Sequence, residues 1–496
     1  MSHAARARVE AVAAGLRGRR IHVLGPSGTE GSSVIDFLAA HGVGPLVAHD
    51  LEPPERFAQT LARTHPWLDA AGRAALLDRL RAAPVTWRQG TRYLEGIEEA
   101  EVIFVPQSWR RHPQNTRVHE AAARGARLSS LTHLCFETWP GPIAGVTGTN
   151  GKFTVATLLV AMLEAAGIPC VASGNDRTHT PALYRLDAAG PRTWLVLEIS
   201  NRQLVGLPYS PQLAVVTNIA PHHLDDHGTM EAYVEAKRTI VRHQTATDAA
   251  VLNADDAAVA AFADGLPSTV HWFSRRRPVA PGAFVRGGTI VLAGVGPVLP
   301  VAELAVPGAH TVENALAASA AAAAAGAPVG AIAGALRAFR GLPYRFRLVA
   351  ERDGVRFYED SLGTNPTSAA AAVAAMDRPF HLIAGGLRPG ARPVDFAPMV
   401  AALERAPVRA VYLIGTTAAV LAEAIGQSAS RPTVEETGTL EAAMATAWAA
   451  AAPGEAILLS PGCESFDQFA DYRERGDRFC ALVETLPRRA GERAAR

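Results

Sequence analysis

Gly145-Val146-Thr147-Gly148-Thr149-Asn150-Gly151-Lys152 is the stretch whose reading decides the fold. It follows the apolar residues Ile143-Ala144 and precedes a helix-prone segment from about Thr154 to Ala166. A glycine-rich turn between a strand and a helix lets backbone N–H groups converge on phosphate oxygens. The helix N-terminus adds positive potential, and the lysine neutralises β/γ charge. The combination predicts a phosphate cradle at the end of a strand in an α/β sheet.

Outward from this loop, short apolar runs alternate with helix-prone segments in three blocks. The first opens on Ile21-His22-Val23-Leu24, a glycine turn and a helix from Ser32 to Ala40. Val47-Ala48-His49-Asp50 and Val102-Ile103-Phe104-Val105 read as further strands, separated by a polar stretch from Leu51 to Gln89 that reads as an insertion. Pro140 and Pro142 mark a hinge before the second block, whose buried strands follow at Trp194 to Leu197 and Leu213 to Thr217. After Gly341-Leu342-Pro343 the third block places strands near Val355–Tyr358, His381–Ala384, Ala410–Ile414 and Ala456–Leu459. The expectation is an α/β chain of three domains in series, 1–139, 140–342 and 343–496. The first and last are Rossmann-like, and the central one is a P-loop ATPase domain on a parallel sheet.

A length of 496 residues suits several domains, and 48% apolar content is ample for their cores. The net charge of +1 gives no reason to expect nucleic acid or an anionic membrane as partner. Cys135, Cys170, Cys463 and Cys480 form no C-x-x-C pair, so neither a disulfide framework nor a zinc site is suggested. Met1 to Arg20 lacks the apolar core of a signal peptide, and the alanine-rich tract Ala315–Ala325 is too short to span a bilayer. A soluble, cytoplasmic, monomeric protein without membrane insertion is expected.

Several polar positions stand where chemistry is done. Glu198 closes the apolar run Trp194-Leu195-Val196-Leu197, at the carboxyl end of a strand where open α/β sheets place ligand-facing groups. Taken alone it reads equally well as a strand-end charge in water. Thr217 to His227 gathers histidines and carboxylates, among them His223 and Asp225, and by composition is either a metal-binding group or a solvated loop. Lys237 taken alone is an ordinary helix-surface lysine. Gly25-x-x-Gly28-x-x-Gly31 followed by Asp50 approaches a dinucleotide fingerprint, but its first gap is one residue too long.

Gly148-Thr149-Asn150-Gly151-Lys152 resembles the nucleotide signature of the Mur ligase family. Further segments resemble that family in the same order: Glu198-Ile199-Ser200-Asn201-Arg202-Gln203-Leu204, the Thr217–His227 cluster, Asn253-Ala254-Asp255-Asp256, Gly308-x-His310-Thr311-x-x-Asn314, Tyr344-Arg345-Phe346 and Asp360-Ser361. The resemblance implies that ATP is held by Gly148, Thr149, Asn150, Gly151, Lys152, Thr154, Asn314, Arg345 and Asp360. It implies two Mg²⁺ ions on Glu198, His223 and a Lys237 carbamoylated by CO₂, with Lys152, Lys237, His223 and Arg345 serving the reaction. Gly28, Thr29 and Asp50 would hold a UDP moiety, with Asn175 and Ser200 also on the sugar-nucleotide substrate. Two departures stand out. The family has Ser or Thr after the lysine, where this chain has Phe153, and Thr311 replaces an asparagine.

Within the family, Ser460-Pro461-Gly462-Cys463-Glu464-Ser465-Phe466-Asp467-Gln468-Phe469, with Tyr472 and Arg475-Gly476, resembles the glutamate-adding members. Thr364, Arg388, Ser465 and Tyr472 would then meet the amino acid. Leu362 and Pro389 stand where lysines are usual, and Arg388 is the one plausible substitute for either. The implied reaction joins glutamate, the D isomer ahead of the L, to UDP-N-acetylmuramoyl-L-alanine through an acyl phosphate. Alternatives left open are the L-glutamate-adding branch, another ligase of the same fold, and a catalytically silent nucleotide-binding protein.

Overall fold

The structure, a computed structural model, describes residues 1–175, 179–221, 224–428 and 432–487. The described residues hold three sheets. The first orders its strands β3-β2-β1-β4-β5, all parallel, with β1 Ile21–Leu24, β2 Leu46–Asp50, β3 Val85–Gln89, β4 Val102–Phe104 and β5 Arg127–Ser129. β1 is wholly buried, as its apolar run requires, and the turn after it feeds the helix Thr29–Ala40.

Leu51 to Gln89 is no insertion. It supplies the helices Pro54–Thr64 and Ala70–Ala82 and then β3, which pairs in parallel with β2. Phe57 with Leu61 and Leu76 with Leu80 are each four residues apart, so each pair shares one helix face and enters the first core.

The second sheet runs β14-β13-β12-β11-β10-β9-β6-β8-β7. Its central strands are β6 Ile143–Thr147, β8 Trp194–Glu198 and β9 Leu213–Val216, flanked by β7 Cys170–Gly174 on one side. On the other lie β10 Ala249–Asn253, β11 Thr269–Ser274, β12 Gly282–Arg286, β13 Thr289–Leu292 and β14 Gly296–Pro300. Pairing is parallel from β7 through to β12, and β13 then returns antiparallel to β12. β6 lies between β8 and β9, so the loop after it opens at the middle of the sheet.

The third sheet runs β15-β16-β20-β17-β18-β19. β15 Arg347–Arg352 is antiparallel to β16 Val355–Glu359. β17 Phe380–Gly385, β18 Val408–Ile414, β19 Thr433–Gly438 and β20 Ala456–Leu459 complete a parallel set that places the carboxyl ends of β17 and β20 side by side.

By contacts the chain divides into two compact units. Met1–Leu299 with Glu313–Leu336 forms one, and Pro300–Val312 with the chain from Arg337 onward forms the other. The backbone therefore passes between them at 299/300, 312/313 and 336/337. Among the described residues no helix is long and apolar enough to cross a membrane.

Candidate active site

The loop after β6 is fixed by the loop after β9. Thr149 N donates to Asn218 O at 2.8 Å, Asn150 N to Asn218 Oδ1 at 2.9 Å, and Thr217 Oγ1 to Asn150 O at 2.6 Å. Gly148 has φ +146°, and a Cβ there would overlap Thr217 Oγ1; Gly151 has φ +83°, and a Cβ would overlap Asn314 Oδ1. Only glycine permits that backbone and that closeness, which is why the sequence carries glycine at both places. Gly151 caps the helix Lys152–Ala165, whose first amides open the loop. The cradle suits a polyphosphate.

Two lysines converge on it. Lys152 Nζ lies 3.2 Å from Gly148 O and 3.1 Å from Thr149 O, and Lys237 Nζ lies 2.8 Å from Gly148 O. Lys237 comes from the helix Met230–Arg242, and its side chain is buried, with Nζ 4.8 Å from the Tyr233 ring centroid. Burial, with Lys152 close by, pushes its pKa down to about 7, against the pull of Glu198. The surface lysine expected from sequence alone is thus an interior amine, half neutral near pH 7.

Glu198 ends β8, is buried, and lines one cavity with Lys152. This cavity, of about 430 Å³, also meets Gly28, Thr29, Asn175 and Ser200. The anion-neutralising lysine and a hard oxygen donor in one cavity fit a nucleotide with a divalent cation. His223 lies outside the described residues, as does the side chain of Asp225. Among the described residues no group of three or more His, Cys, Asp or Glu gathers around a possible metal. Phe153 turns its ring to His179, 5.7 Å between centroids, and with Ser173, Val196 and Glu198 encloses a small void of about 60 Å³. Thr154 follows it, half-buried in the first helical turn.

On the cavity's other wall, the first-sheet residues divide their tasks. Asp50 is buried, and its oxygens accept from Ser27 N at 2.6 Å and Glu52 N at 2.9 Å, so it shapes the loop and does not line the cavity. Thr29 Oγ1 donates to Thr64 O at 2.6 Å. Ser200 forms a capping box with Gln203 and reaches Gln107 Oε1 at 2.9 Å, while Gln107 N donates to Glu30 Oε2 at 2.6 Å. Asn175 N donates to Glu198 O at 2.9 Å.

The second unit gathers Arg345, Asp360, Thr364, Arg388, Ser465 and Tyr472 around the carboxyl ends of β16, β17 and β20. Asp360 is buried and accepts from Ser460 Oγ at 2.7 Å and Phe346 N at 3.1 Å; burial, with Glu359 beside it, pushes its pKa up to about 7. Arg345 is exposed between Tyr344 and Phe346, whose φ of +61° and +45° are uncommon for non-glycine residues. Thr364 follows Gly363, whose carbonyl accepts from Gly462 N at 2.8 Å. Arg388 N donates to Thr417 Oγ1 at 3.0 Å. Ser465 is buried, and its hydroxyl has no hydrogen-bond partner among the described residues; nor has Asp467 Oδ1. A buried polar atom without a partner is costly, and a ligand is one way to satisfy it. Tyr472 meets Tyr344 edge-on, 5.7 Å between centroids.

Residues 146–322 match the family described as Mur ligase middle domain, and residues 344–463 match Mur ligase, glutamate ligase domain. The chain is 38% identical over 466 residues to the UDP-N-acetylmuramoylalanine–D-glutamate ligase of Symbiobacterium thermophilum, covering 92% of this chain and 96% of that one. The chain belongs to the Mur ligase family. Proteins of the same description from Geobacillus kaustophilus and Bacillus subtilis are 40% and 36% identical, each over 75% of this chain and 81% of their own. Among solved structures, the fold is shared with the UDP-N-acetylmuramate–alanine ligase of Thermotoga maritima, TM-score 0.55 at 16% identity, covering 94% of this chain and 99% of that one. A pseudomurein peptide ligase type C from Methanothermus fervidus gives a TM-score of 0.51 at 20% identity, over 95% and 100% of the two chains.

This Mur ligase is an ATP-dependent, amide-bond-forming enzyme of three-domain α/β architecture. Of the positions picked out in the sequence, Gly28, Thr29, Lys152, Asn175, Glu198 and Ser200 share the large cavity, and Asn314 packs on Gly151. Glu30, Gln107, Arg111 and His179 also line the cavity and carried no motif that would have singled them out. Asn253 and Asp256 of the Asn-x-Asp-Asp turn are structural braces: Asn253 Nδ2 donates to Thr217 O at 2.8 Å, and Asp256 Oδ2 accepts from Ile219 N at 2.7 Å.

Proposed function

We propose that the protein joins D-glutamate to UDP-N-acetylmuramoyl-L-alanine in the cytoplasm, as a step of peptidoglycan precursor synthesis. The observation that carries the proposal is the single cavity shared by Lys152, Glu198, Asn175 and Ser200 with Gly28 and Thr29 across from them. Polyphosphate chemistry and a sugar-nucleotide site would there meet in one space. The D isomer rests on relatives described as D-glutamate ligases at 36–40% identity. We further propose residues 1–139 as the UDP-substrate domain, 140–342 as the ATP domain and 343–496 as the amino-acid domain, in a protein acting as a monomer.

In this reading a terminal carboxylate oxygen of the substrate attacks the γ-phosphorus, the bond to the bridging oxygen breaks, and ADP leaves. The glutamate amine then attacks the acyl carbon, loses a proton, and expels phosphate. Bringing two anions together requires neutralised charge and close placement. Gly148, Thr149, Asn150, Gly151 and Thr154 would seat the phosphates, Lys152 and Arg345 would neutralise them, and Asn314 and Asp360 would hold the rest of the nucleotide. Two Mg²⁺ ions, when bound, would stabilise negative charge on the transferring group; Glu198, His223 and Lys237 as a carbamate are proposed to hold them. The carbamate is supported by the lowered pKa of Lys237, because only the neutral amine adds to CO₂. Thr364, Arg388, Ser465 and Tyr472 would seat glutamate, with the orphaned Ser465 hydroxyl as the clearest waiting group.

The test is phosphate release by purified protein with UDP-N-acetylmuramoyl-L-alanine, Mg-ATP and either glutamate isomer. Release with the D isomer alone is expected. Release with the L isomer would reverse the stereochemical assignment, and none with either would overturn the function.

A further inference from the structure

The first turn of the helix Tyr472–Thr485 holds a fully buried cation. Arg475 Nε donates to Ser361 Oγ at 2.9 Å and its Nη2 to Ser361 O at 2.9 Å, while Nη1 donates to Cys463 O and Glu464 O, both at 3.2 Å. None of these acceptors is charged. Burial lowers the arginine pKa to about 10, so it remains a cation at neutral pH. An apolar side chain would fill this volume without the cost of desolvating a charge. What the planar fork supplies is simultaneous reach to two separate loops.

Neighbouring contacts serve the same junction. A Cβ on Gly476 would come within 2.6 Å of the Tyr344 ring and 2.8 Å of Glu359 Oε1, so glycine is needed for the helix to approach. The Glu359 carboxylate accepts from Tyr344 N at 2.9 Å and Ser361 N at 2.7 Å, and Tyr344 Oη donates to Asp477 Oδ1 at 2.9 Å. Leu387 and Glu464 exchange backbone hydrogen bonds of 2.8 and 3.0 Å, extending the junction to the end of β17.

We propose that Arg475 is a positioning residue that locks the loop of Asp360-Ser361 and the loop of Cys463–Ser465 into one piece, so that ordering one orders the other. Its meaning for catalysis rests on the proposed function, in which the first loop faces nucleotide and the second faces the amino acid. The lock itself is a property of the free protein.

Hydrogen exchange on the full chain without ligands tests the lock. In Arg475→Lys one compact ammonium replaces a fork whose Nε and Nη2 face Ser361 and whose Nη1 faces Cys463 and Glu464. Amides of residues 360–364 and 462–466 are expected to exchange at least tenfold faster together, while the interiors of β17 and β18 keep their protection. Ser361→Ala, which removes one acceptor and no cation, is expected to loosen both loops by a smaller factor. Faster exchange in one loop only, in neither, or across the whole sheet overturns the proposal. Kinetics separate the lock from a filler role: Arg475→Lys should raise KM for both ATP and glutamate and leave that for the UDP substrate unchanged. A fall in kcat with every KM unchanged would mean a structural residue only. If the wild-type protein releases no phosphate, the proposed function fails, while the exchange result still decides the lock.

Discussion

Replacing Gly148 by alanine probes the phosphate loop at its tightest point. At φ +146° an alanine carries strain of about 1–3 kcal/mol. Its Cβ would overlap Thr217 Oγ1 and lie 3.1 Å from Asn218 N and Thr217 Cβ, so relief by a small shift is blocked. Thr217 Oγ1, with one proton to donate, lies 2.6 Å from Asn150 O and 3.3 Å from Thr147 O. Rotating that hydroxyl away forfeits about 1 kcal/mol of hydrogen bonding. The sum is about 2–4 kcal/mol. The loop can yield locally while Val155, Leu158, Leu159 and Met162 keep the helix in the core, so the cost should fall on phosphate binding. At about 1.4 kcal/mol per decade, nucleotide affinity should drop roughly 30- to 700-fold. Calorimetric titration with Mg-ATP measures this, alongside a thermal melt expected to move little. The decisive control adds Thr217→Ala, which removes the overlapped oxygen. The double variant should bind better than additivity allows, by about 1 kcal/mol. Wild-type affinity in Gly148→Ala, or simple additivity in the pair, would refute the steric argument.

Ser465→Ala should raise KM for glutamate about tenfold while increasing stability by about 1 kcal/mol, since it deletes a buried hydroxyl without a partner; a loss in chemical denaturation would contradict that. Lys237 should be carbamoylated more at pH 8 than at pH 6, because its lowered pKa of about 7 leaves the reactive amine neutral above that value. A ¹³C-bicarbonate NMR signal that persists in Lys237→Met would sink this assignment. Burial also holds His22 and His49 well below the ordinary imidazole value; they are neutral and share a 2.8 Å ring-nitrogen hydrogen bond. The unfolded chain takes up protons below about pH 6.5 while the folded pair does not, so stability should fall as pH drops from there toward 4. A His22→Asn/His49→Gln variant whose urea midpoint declines as steeply as the wild type would exclude the pair as a cause. Phe153→Ser should lower the Mg²⁺ concentration needed for half-maximal activity and cost about 1–2 kcal/mol of packing against His179. An unchanged Mg²⁺ titration would count against it.

Strands buried on both faces were plain in the sequence because each is a short, mainly apolar run, broken at most by one polar residue: β1, β8, β17 and β20. β3, Val85-Thr86-Trp87-Arg88-Gln89, and β19, Thr433 to Gly438, lie at sheet edges and keep much of their surface in solvent. Their polar composition made the first part of an apparent insertion and left the second unnoticed. The phosphate loop was legible because its backbone admits glycine and little else. The burial of Lys237 was not, because a lysine on a helix carries no mark of burial until the opposing loop is in place; only the family resemblance singled the residue out. Arg475 is similar: its partner Ser361 is 114 residues away, and no local pattern announces that distance.

The backbone's three passages between the two units bear on how the molecule can be taken apart. A single nick in the middle of the chain releases neither unit, because other strands of covalent chain still join them. Nor would a chain ended after Leu342 be a clean fragment. It would retain Ala305 and Val306 while discarding Phe346, Leu348 and Tyr358, which share their core. In heredity the same constraint applies: recombination at one point cannot trade the second unit for a relative's, and a workable exchange must carry residues 300–312 with it.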